Sequence, residues 1–230
     1  NRYIRQLEKL IELAHKEVER TRLIPEYHDT AKMYVRHFEM CRELFVEKHK
    51  RDIVGAFRDV AETGHLEIIT CGATHGFLPL LQNQPQVVRA QVQVARQYHE
   101  EMFGRPPQGI WNGECGYYPG LDEILSDCGL RFFYVDAHGI LFADKRPHYG
   151  VYAPLYCPSG VAAFGRDLES SKSVWSAEEG YPGDFRYREF YRDIGYDLEY
   201  EYIRPYIHES GLRIATGMKY HRITGENLDL

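Results

Sequence analysis

The chain has 230 residues, of which 43% are hydrophobic and 27% charged, and its formal net charge is −6. This length and composition are typical of a globular protein with a sizeable core, and the acidic balance argues against a nucleic-acid-binding surface. No apolar run is long enough to span a membrane, and no signal peptide opens the sequence. Because the 5 cysteines show no paired or zinc-like spacing, we expect reduced thiols, no metal, no cofactor and a cytoplasmic protein.

Helices dominate the first part of the sequence and then alternate with short strands. Apolar residues recur at helical spacing in the long segments. Pro25 separates the first two helices, and Gly64 and Gly129 follow two others as typical C-caps. In chain order, the predicted elements are helices over 2–21, 30–48 and 52–63, a strand over 66–70, a helix over 84–103, a strand over 109–111, a helix over 119–128, and strands over 132–135 and 214–218.

A unit of helix, glycine, apolar strand and polar loop recurs along the chain, with its strand and loop over 64–74, 109–116 and 129–139. Strands that alternate with helices indicate an α/β fold with a parallel sheet or barrel. The polar loops are then expected at one edge, the carboxyl ends of the strands, where such folds build their active sites.

The segment over 144–206 has a different character. Prolines and glycines interrupt it too often for a long helix or strand, yet its many aromatic residues argue against disorder. We expect a long ordered insertion that lies over the site like a lid.

The most informative stretch is Trp-Asn-Gly-Glu-Cys-Gly-Tyr at 111–117. It places Glu114 at the carboxyl end of a strand, between two glycines that let a backbone or a ligand come close. Trp111 and Tyr117 offer flat faces suited to sugar rings. A lone carboxylate in a loop is usually just solvated, so Glu114 by itself does not establish a site.

The whole motif resembles the nucleophile motif of glycoside hydrolase family 57, in the branch that contains 1,4-α-glucan branching enzymes. The stretch over 64–79, from Gly64 through His75 to Pro79, is similar to a second motif of that family. The resemblance implies an incomplete (β/α)7-type, TIM-like barrel, in which residues 1–230 form part of one catalytic domain and 144–206 is inserted. It also implies that Glu114 is the nucleophile of a retaining double displacement, which forms α-1,6 branches in α-1,4-glucans such as amylose or glycogen.

Two features of the family are not found in the sequence. Family members open with a strand that bears an His-x-His-type motif, and their acid/base Asp belongs to a motif later than any present here. We therefore expect an internal piece of a longer enzyme, with the acid/base beyond Leu230. The isolated piece is expected to be inactive, because a retaining mechanism needs two carboxyl groups.

Further site residues follow from the same two motifs and from the insertion. The resemblance places His75 near the sugar in the −1 subsite, whereas its sequence context alone also fits a loop histidine packed on Phe77. Asp136 ends a strand on the nucleophile's side and is a pocket residue or, in a free-standing protein, the acid/base. Arg166 either pairs with a carboxylate near the pocket or braces the insertion. Phe164, Trp175 and Tyr181 are the candidates for the aromatic tip of the lid. The predicted substrate-binding residues are His75, Trp111, Asp136, Arg166 and Trp175.

Three alternatives stay open at this point. An α-amylase or 4-α-glucanotransferase of the same family would share the motifs, and a non-catalytic glucan-binding fragment would lack the acid/base. A metal-dependent polysaccharide deacetylase also uses histidines in a barrel, although His75 and Asp136 make no tight ligand pattern. The sequence gives no indication of the oligomeric state.

Overall fold

The computed structural model describes residues 2–223, and these divide into two compact units. Of these residues, those up to Ile53 and those from Ser173 onward form one unit, called here the helical unit, and Val54–Lys172 forms the other, called the sheet unit. Among the described residues no helix is both long and apolar enough to cross a membrane. The helices are α1 (Arg2–Arg20), α2 (Pro25–Glu43), α3 (Ile53–Glu62), α4 (Pro85–Phe103), α5 (Leu121–Asp127), α6 (Ala137–Leu141), α7 (Leu168–Trp175), α8 (Ile194–Asp197) and α9 (Tyr200–Ile203).

The sheet unit is built on a five-stranded sheet with the strand order β1-β2-β3-β5-β4. The first four strands in this order run parallel, and β4 pairs antiparallel with β5. A mostly parallel α/β sheet is therefore confirmed, whereas its closure into a TIM-like barrel stays a prediction. The strands are β1 (Thr70–Cys71), β2 (Gly109–Trp111), β3 (Phe132–Val135), β4 (Leu155–Tyr156) and β5 (Ala162–Gly165).

The two faces of this sheet differ in what covers them, because side chains alternate along each strand. One face carries Ile110 and Phe133, which are buried in a core with residues of α4 and α5. Burying these apolar side chains stabilises the unit by roughly 1.5–3 kcal/mol each. The other face carries aromatic rings in mutual contact, from Trp111, Phe132, Tyr134 and Phe164.

Two expectations about the strands need correction. The strand predicted over 66–70 shrinks to Thr70–Cys71, and the Ile68 carbonyl is close to His99 Nε2 at 3.1 Å. The strand predicted over 214–218 does not form, because the Thr216 and Gly217 amides donate to the Asp193 carboxylate, each at 2.8 Å.

The segment over 144–206, which is predicted to be an insertion, includes part of the sheet. It contains β4 and β5, and β5 pairs with β3 along its whole length. The sheet therefore continues into this segment, and an excursion is possible only on either side of these strands. Ala162 and Ala163 are buried, which shows that this part of the segment belongs to the core.

The helical unit packs α1 against α2 around its own apolar core. Glu17 on α1 is fully buried in it. Its carboxylate accepts hydrogen bonds from Arg20 at 2.7 and 2.6 Å, from the Tyr202 hydroxyl at 2.8 Å and from the Tyr220 hydroxyl at 2.9 Å. A buried charge with this many partners ties α1 to the later part of the chain.

Candidate active site

The carboxyl ends of β1, β2, β3 and β5 lie side by side, because these strands are parallel neighbours. We call this border of the sheet the carboxyl edge. His75 follows β1, Glu114 follows β2, Asp136 follows β3 and Arg166 follows β5. The expectation that several polar loops share one edge is confirmed, although the residues' roles are not decided by placement alone.

Glu114 lies in a tight turn over Gly113–Cys115, directly after β2. Its backbone is left-handed, with φ 52° and ψ 30°, and Cys115 follows with φ 55°. The Cys115 amide donates to the Asn112 carbonyl at 2.9 Å, and the Gly116 amide donates to the Gly113 carbonyl at 3.0 Å. Left-handed backbone costs about 1–3 kcal/mol at each non-glycine residue and persists only where the surroundings enforce it, often at active sites. The strained turn presents the Glu114 side chain to solvent.

The second motif meets this turn through its backbone. His75 is also left-handed, with φ 54°, and its side chain is exposed. A Cβ atom on Gly113 would lie 2.8 Å from the Gly76 carbonyl oxygen and 3.1 Å from that of His75. The loops that follow β1 and β2, which carry the two motifs, are therefore in close contact.

Arg166 contacts two of the other predicted site residues, Asp136 and Trp111, and also Cys115. Its Nη1 lies 3.1 Å from Asp136 Oδ1 and 3.9 Å from the Cys115 sulfur, and its guanidinium lies 5.9 Å from the centre of the Trp111 ring. The Arg166 and Asp136 side chains keep 27% and 45% of their surface exposed, so the pair contributes little to stability. Its consequence is geometric: it holds a cation beside the residue that follows Glu114.

Two residues of the motif, Cys115 and Tyr117, have surroundings that do not suit the functions their side chains first indicate. Burial raises the pKa of the Cys115 thiol, which keeps it protonated and unsuited to nucleophilic attack. Tyr117 does not present a free ring, since it stacks on Phe133 with ring centres 5.3 Å apart. Its hydroxyl donates to Asp122 at 3.2 Å, and burial raises the pKa of Tyr117.

Asn112 is the residue at this edge that the sequence did not single out. It is fully buried, and neither its side-chain oxygen nor its nitrogen has a hydrogen-bond partner within the described part of the chain. Such a group costs about 1–3 kcal/mol. An asparagine in a loop is too common a feature to have drawn attention without this geometry.

Trp175 differs from the other candidates because it belongs to the helical unit. It ends α7 and is 76% exposed, so its assignment to the tip of a lid stays a prediction. Over residues 2–223, no group of three His, Cys, Asp or Glu side chains is arranged to hold a metal ion.

Comparison with known proteins identifies related sequences and structures. A family model described as "Glycosyl hydrolase family 57" matches residues 1–228. A 1,4-alpha-glucan branching enzyme of Thermococcus kodakarensis is 36% identical over 170 residues, which make up 61% of this chain and 25% of that protein.

Two solved structures resemble the whole or most of the chain. The alpha-amylase AmyC from Thermotoga maritima has a TM-score of 0.89 at 55% identity, over 99% of this chain and 44% of that chain. A GH57-type branching enzyme from Pyrococcus horikoshii has a TM-score of 0.72 at 30% identity, over 81% of this chain and 37% of that one. The chain thus spans a quarter to less than half of the length of these relatives, and the likeness concerns that part of each.

Proposed function

The chain belongs to glycosyl hydrolase family 57, and we propose that it carries the nucleophile of a retaining enzyme that acts on α-1,4-glucans. The observation that supports this most is the exposed Glu114 carboxylate on a strained turn at the carboxyl edge. The turn adjoins the His75 loop of the second motif. Exposure leaves the carboxylate accessible to a sugar, and the strain indicates a geometry kept for a purpose other than stability.

In the proposed reaction, a Glu114 oxygen attacks the anomeric carbon of a bound glucosyl unit. The glycosidic bond breaks, and the leaving oxygen takes a proton from a second carboxylic acid. A covalent glucosyl ester forms. An acceptor hydroxyl then attacks the same carbon, its proton returns to that second group, and the ester bond breaks to release the Glu114 carboxylate. A glucan acceptor gives transfer, whereas water gives hydrolysis.

The surrounding residues have distinct proposed roles. Trp111 and His75 would contact the sugar, the first through its ring and the second through hydrogen bonds to hydroxyls. Asp136 is a poor acid/base in this arrangement, because its carboxylate is paired with Arg166 at 3.1 Å. We therefore assign Asp136 and Arg166 to the pocket wall and expect the second carboxyl group elsewhere in the complete enzyme.

For the outcome of the reaction, we propose transfer that forms α-1,6 branches. The support for this proposal is that the relative that is 36% identical is named a branching enzyme. Hydrolysis is the second candidate, and it is favoured by the 55% identity to a protein described as an alpha-amylase.

The test of the nucleophile is Glu114→Gln in the complete protein, with Glu123→Gln as the matched control, since Glu123 is an exposed glutamate on α5. The first variant removes the attacking charge, so turnover of amylose should fall by several orders of magnitude at unchanged melting temperature. The control should keep wild-type turnover. Near-normal activity of Glu114→Gln would overturn the assignment.

Branching and hydrolysis are separated by the products that form from amylose. New α-1,6 linkages without new reducing ends indicate transfer, and new reducing ends indicate hydrolysis. Trp175→Ala should shift the ratio toward reducing ends if Trp175 helps to exclude water. Phe142→Ala is a suitable control, because Phe142 is 83% exposed. An unchanged ratio in Trp175→Ala would remove this residue from the acceptor site.

A further inference from the structure

Two glycines flank the Glu114–Cys115 turn, and both lie against the segment over 75–79. A Cβ on Gly113 would collide with main-chain oxygens of that segment, as described above. A Cβ on Gly116 would lie 2.5 Å from Phe77 Cε2 and 2.8 Å from Pro79 Cδ. The turn therefore has close neighbours before and after Glu114, and they belong to one short segment.

The contact at Gly116 depends on space and not on backbone conformation. Gly116 has φ −69° and ψ 130°, an extended conformation that any residue can adopt. Glycine is required here only because the Phe77 and Pro79 rings occupy the position of a Cβ. Phe77 itself is 41% exposed, so the core does not depend on its side chain.

The segment over 75–79 is itself firmly anchored. Leu78, next to Phe77, is almost fully buried in the core of the sheet unit, and it begins a 3-10 turn over Leu78–Leu81. Pro79 restricts the backbone further. The anchored backbone limits the movement of the Phe77 ring, and the strained turn at Glu114 packs against this ring at Gly116.

We infer that Phe77 is a positioning residue, whose ring holds the Gly116 end of the turn so that the Glu114 carboxylate keeps the placement needed for attack. Phe77 acts through Gly116 and needs no contact with the reacting atoms. The inference rests on the proposed role of Glu114. A misplacement of about 1 Å at a reacting group can cost on the order of a hundred-fold in rate, so a missing or displaced support should be measurable.

The test uses Phe77→Ala, Phe77→Leu, Gly116→Ala and the double variant Phe77→Ala/Gly116→Ala in the complete protein. Phe77→Ala should lower kcat by about ten-fold or more with KM nearly unchanged, and Phe77→Leu should lie between it and the wild type. Gly116→Ala should lower kcat further, because the new methyl group displaces the turn. The double variant should recover part of the activity lost in Gly116→Ala, since the space left by the ring accepts the methyl group.

Matched controls separate positioning from a general loss of structure. Gly139→Ala places a Cβ at ordinary distances of 3.5 and 3.6 Å from Val135, and Phe142→Ala removes an exposed ring. Both should keep wild-type kcat. A second readout is the rate at which an epoxide-bearing glucoside alkylates Glu114, followed by peptide mass, in which the carboxylate oxygen opens the epoxide and forms an ester. This rate should fall in Phe77→Ala while the melting temperature stays near that of the wild type.

Two results would overturn the inference: kcat in both Phe77 variants equal to the controls, or losses in the double variant that simply multiply. If Gly116→Ala does not fold, the test relies on kcat for Phe, Leu and Ala at position 77. Equal kcat values for these three proteins would overturn the inference. Glu114→Gln, measured in parallel, separates a failure of the Phe77 inference from a failure of the proposed function. If Glu114→Gln is inactive and the Phe77 variants are unaffected, only the positioning role of Phe77 is rejected. If Glu114→Gln is active, the proposed function is rejected.

Discussion

Glu17 in the helical unit and Glu114 in the sheet unit have carboxylates in opposite environments, one buried and the other exposed. Glu17 is fully buried, and its oxygens are engaged by Arg20, Tyr202 and Tyr220. Glu114 is exposed on a left-handed turn. A buried carboxylate often draws attention as a catalytic candidate, but complete hydrogen bonding makes Glu17 part of the scaffold. The comparison teaches that the burial of a carboxylate does not by itself indicate a catalytic role.

Strain alone is not sufficient as a sign of function. Lys50 and Arg51 in the helical unit are also left-handed, with φ 48° and 67°. They lie in an exposed turn closed by main-chain hydrogen bonds from Arg51 to Phe45 at 2.7 Å and from Asp52 to His49 at 2.8 Å. At Glu114, by contrast, the strain coincides with a second strained loop and with an arginine–aspartate pair.

The largest effect is expected on stability, from removal of the charge of the buried and fully hydrogen-bonded Glu17 carboxylate. Glu17→Gln leaves Arg20 and two tyrosine hydroxyls without their charged acceptor, and loss of one partner of a buried pair costs about 3–5 kcal/mol. The free energy of unfolding from urea titration should fall by that amount, with turnover per folded molecule unchanged. Glu19→Gln, an exposed neighbour on α1, is the control. Equal stability of the two variants would contradict the scaffold role.

Gly113→Ala, in contrast to Glu17→Gln, should lower the turnover of the folded protein. The new Cβ would meet the Gly76 and His75 main-chain oxygens, which cannot rotate away as a side chain can, so the turn must move. We expect kcat to fall by about a hundred-fold or more, without the rescue that a change at Phe77 gives to Gly116→Ala. Steady-state kinetics with Gly139→Ala as control test this, and normal kcat in Gly113→Ala would show that the contact does not matter.

Arg166→Met should have a smaller effect, also on activity. The variant removes the partner of Asp136 and the cation above Trp111, which loosens the pocket wall while most of the side-chain volume is kept. We expect kcat/KM to fall by about ten-fold, which equals about 1.4 kcal/mol, with a small change in stability because the pair is partly exposed. Arg131→Met, an exposed residue just before β3, should behave as the wild type. Equal kinetics for the two variants would contradict the assignment.

The smallest effect concerns alkaline pH and the tyrosines around Glu17. Burial, together with the nearby Glu17 charge, raises the pKa of Tyr202 and Tyr220 above the usual value. In the unfolded chain a tyrosine ionises near about pH 10, whereas in the folded protein these two stay protonated. Their contribution to stability is therefore complete below about pH 10 and is lost as the pH rises above it.

This pH dependence can be measured with Tyr220→Phe. The variant should be less stable than the wild type by about 1 kcal/mol at neutral pH, because one hydrogen bond is lost. Its stability should then fall less steeply than that of the wild type above about pH 10. Parallel slopes for the two proteins would show that Tyr220 is not the titrating group.

The sequence could predict the elements that rest on local patterns. Helical spacing in α1 and α4 and the apolar runs of β2 and β3 were sufficient to predict these elements. Glu114 was singled out through the resemblance of its motif to a family motif, and its role stays a prediction. The contact of Phe77 with Gly116 and the burial of Asn112 could not be predicted, because they depend on contacts between loops. β5 was missed since its residues, Ala162–Gly165, are short and small and lie among glycines and prolines, where tertiary pairing decides.

The position of Trp111 also has an optical consequence. The chain contains 2 tryptophans, and one of them, Trp175, is 76% exposed. Trp175→Phe would leave Trp111 as the single indole, half-buried, beside the Tyr134 ring and under the Arg166 guanidinium. Its fluorescence would then respond to the polarity at the carboxyl edge. Binding of the proposed glucan substrate could be tested from the emission of the unlabelled protein, even in variants that no longer turn over.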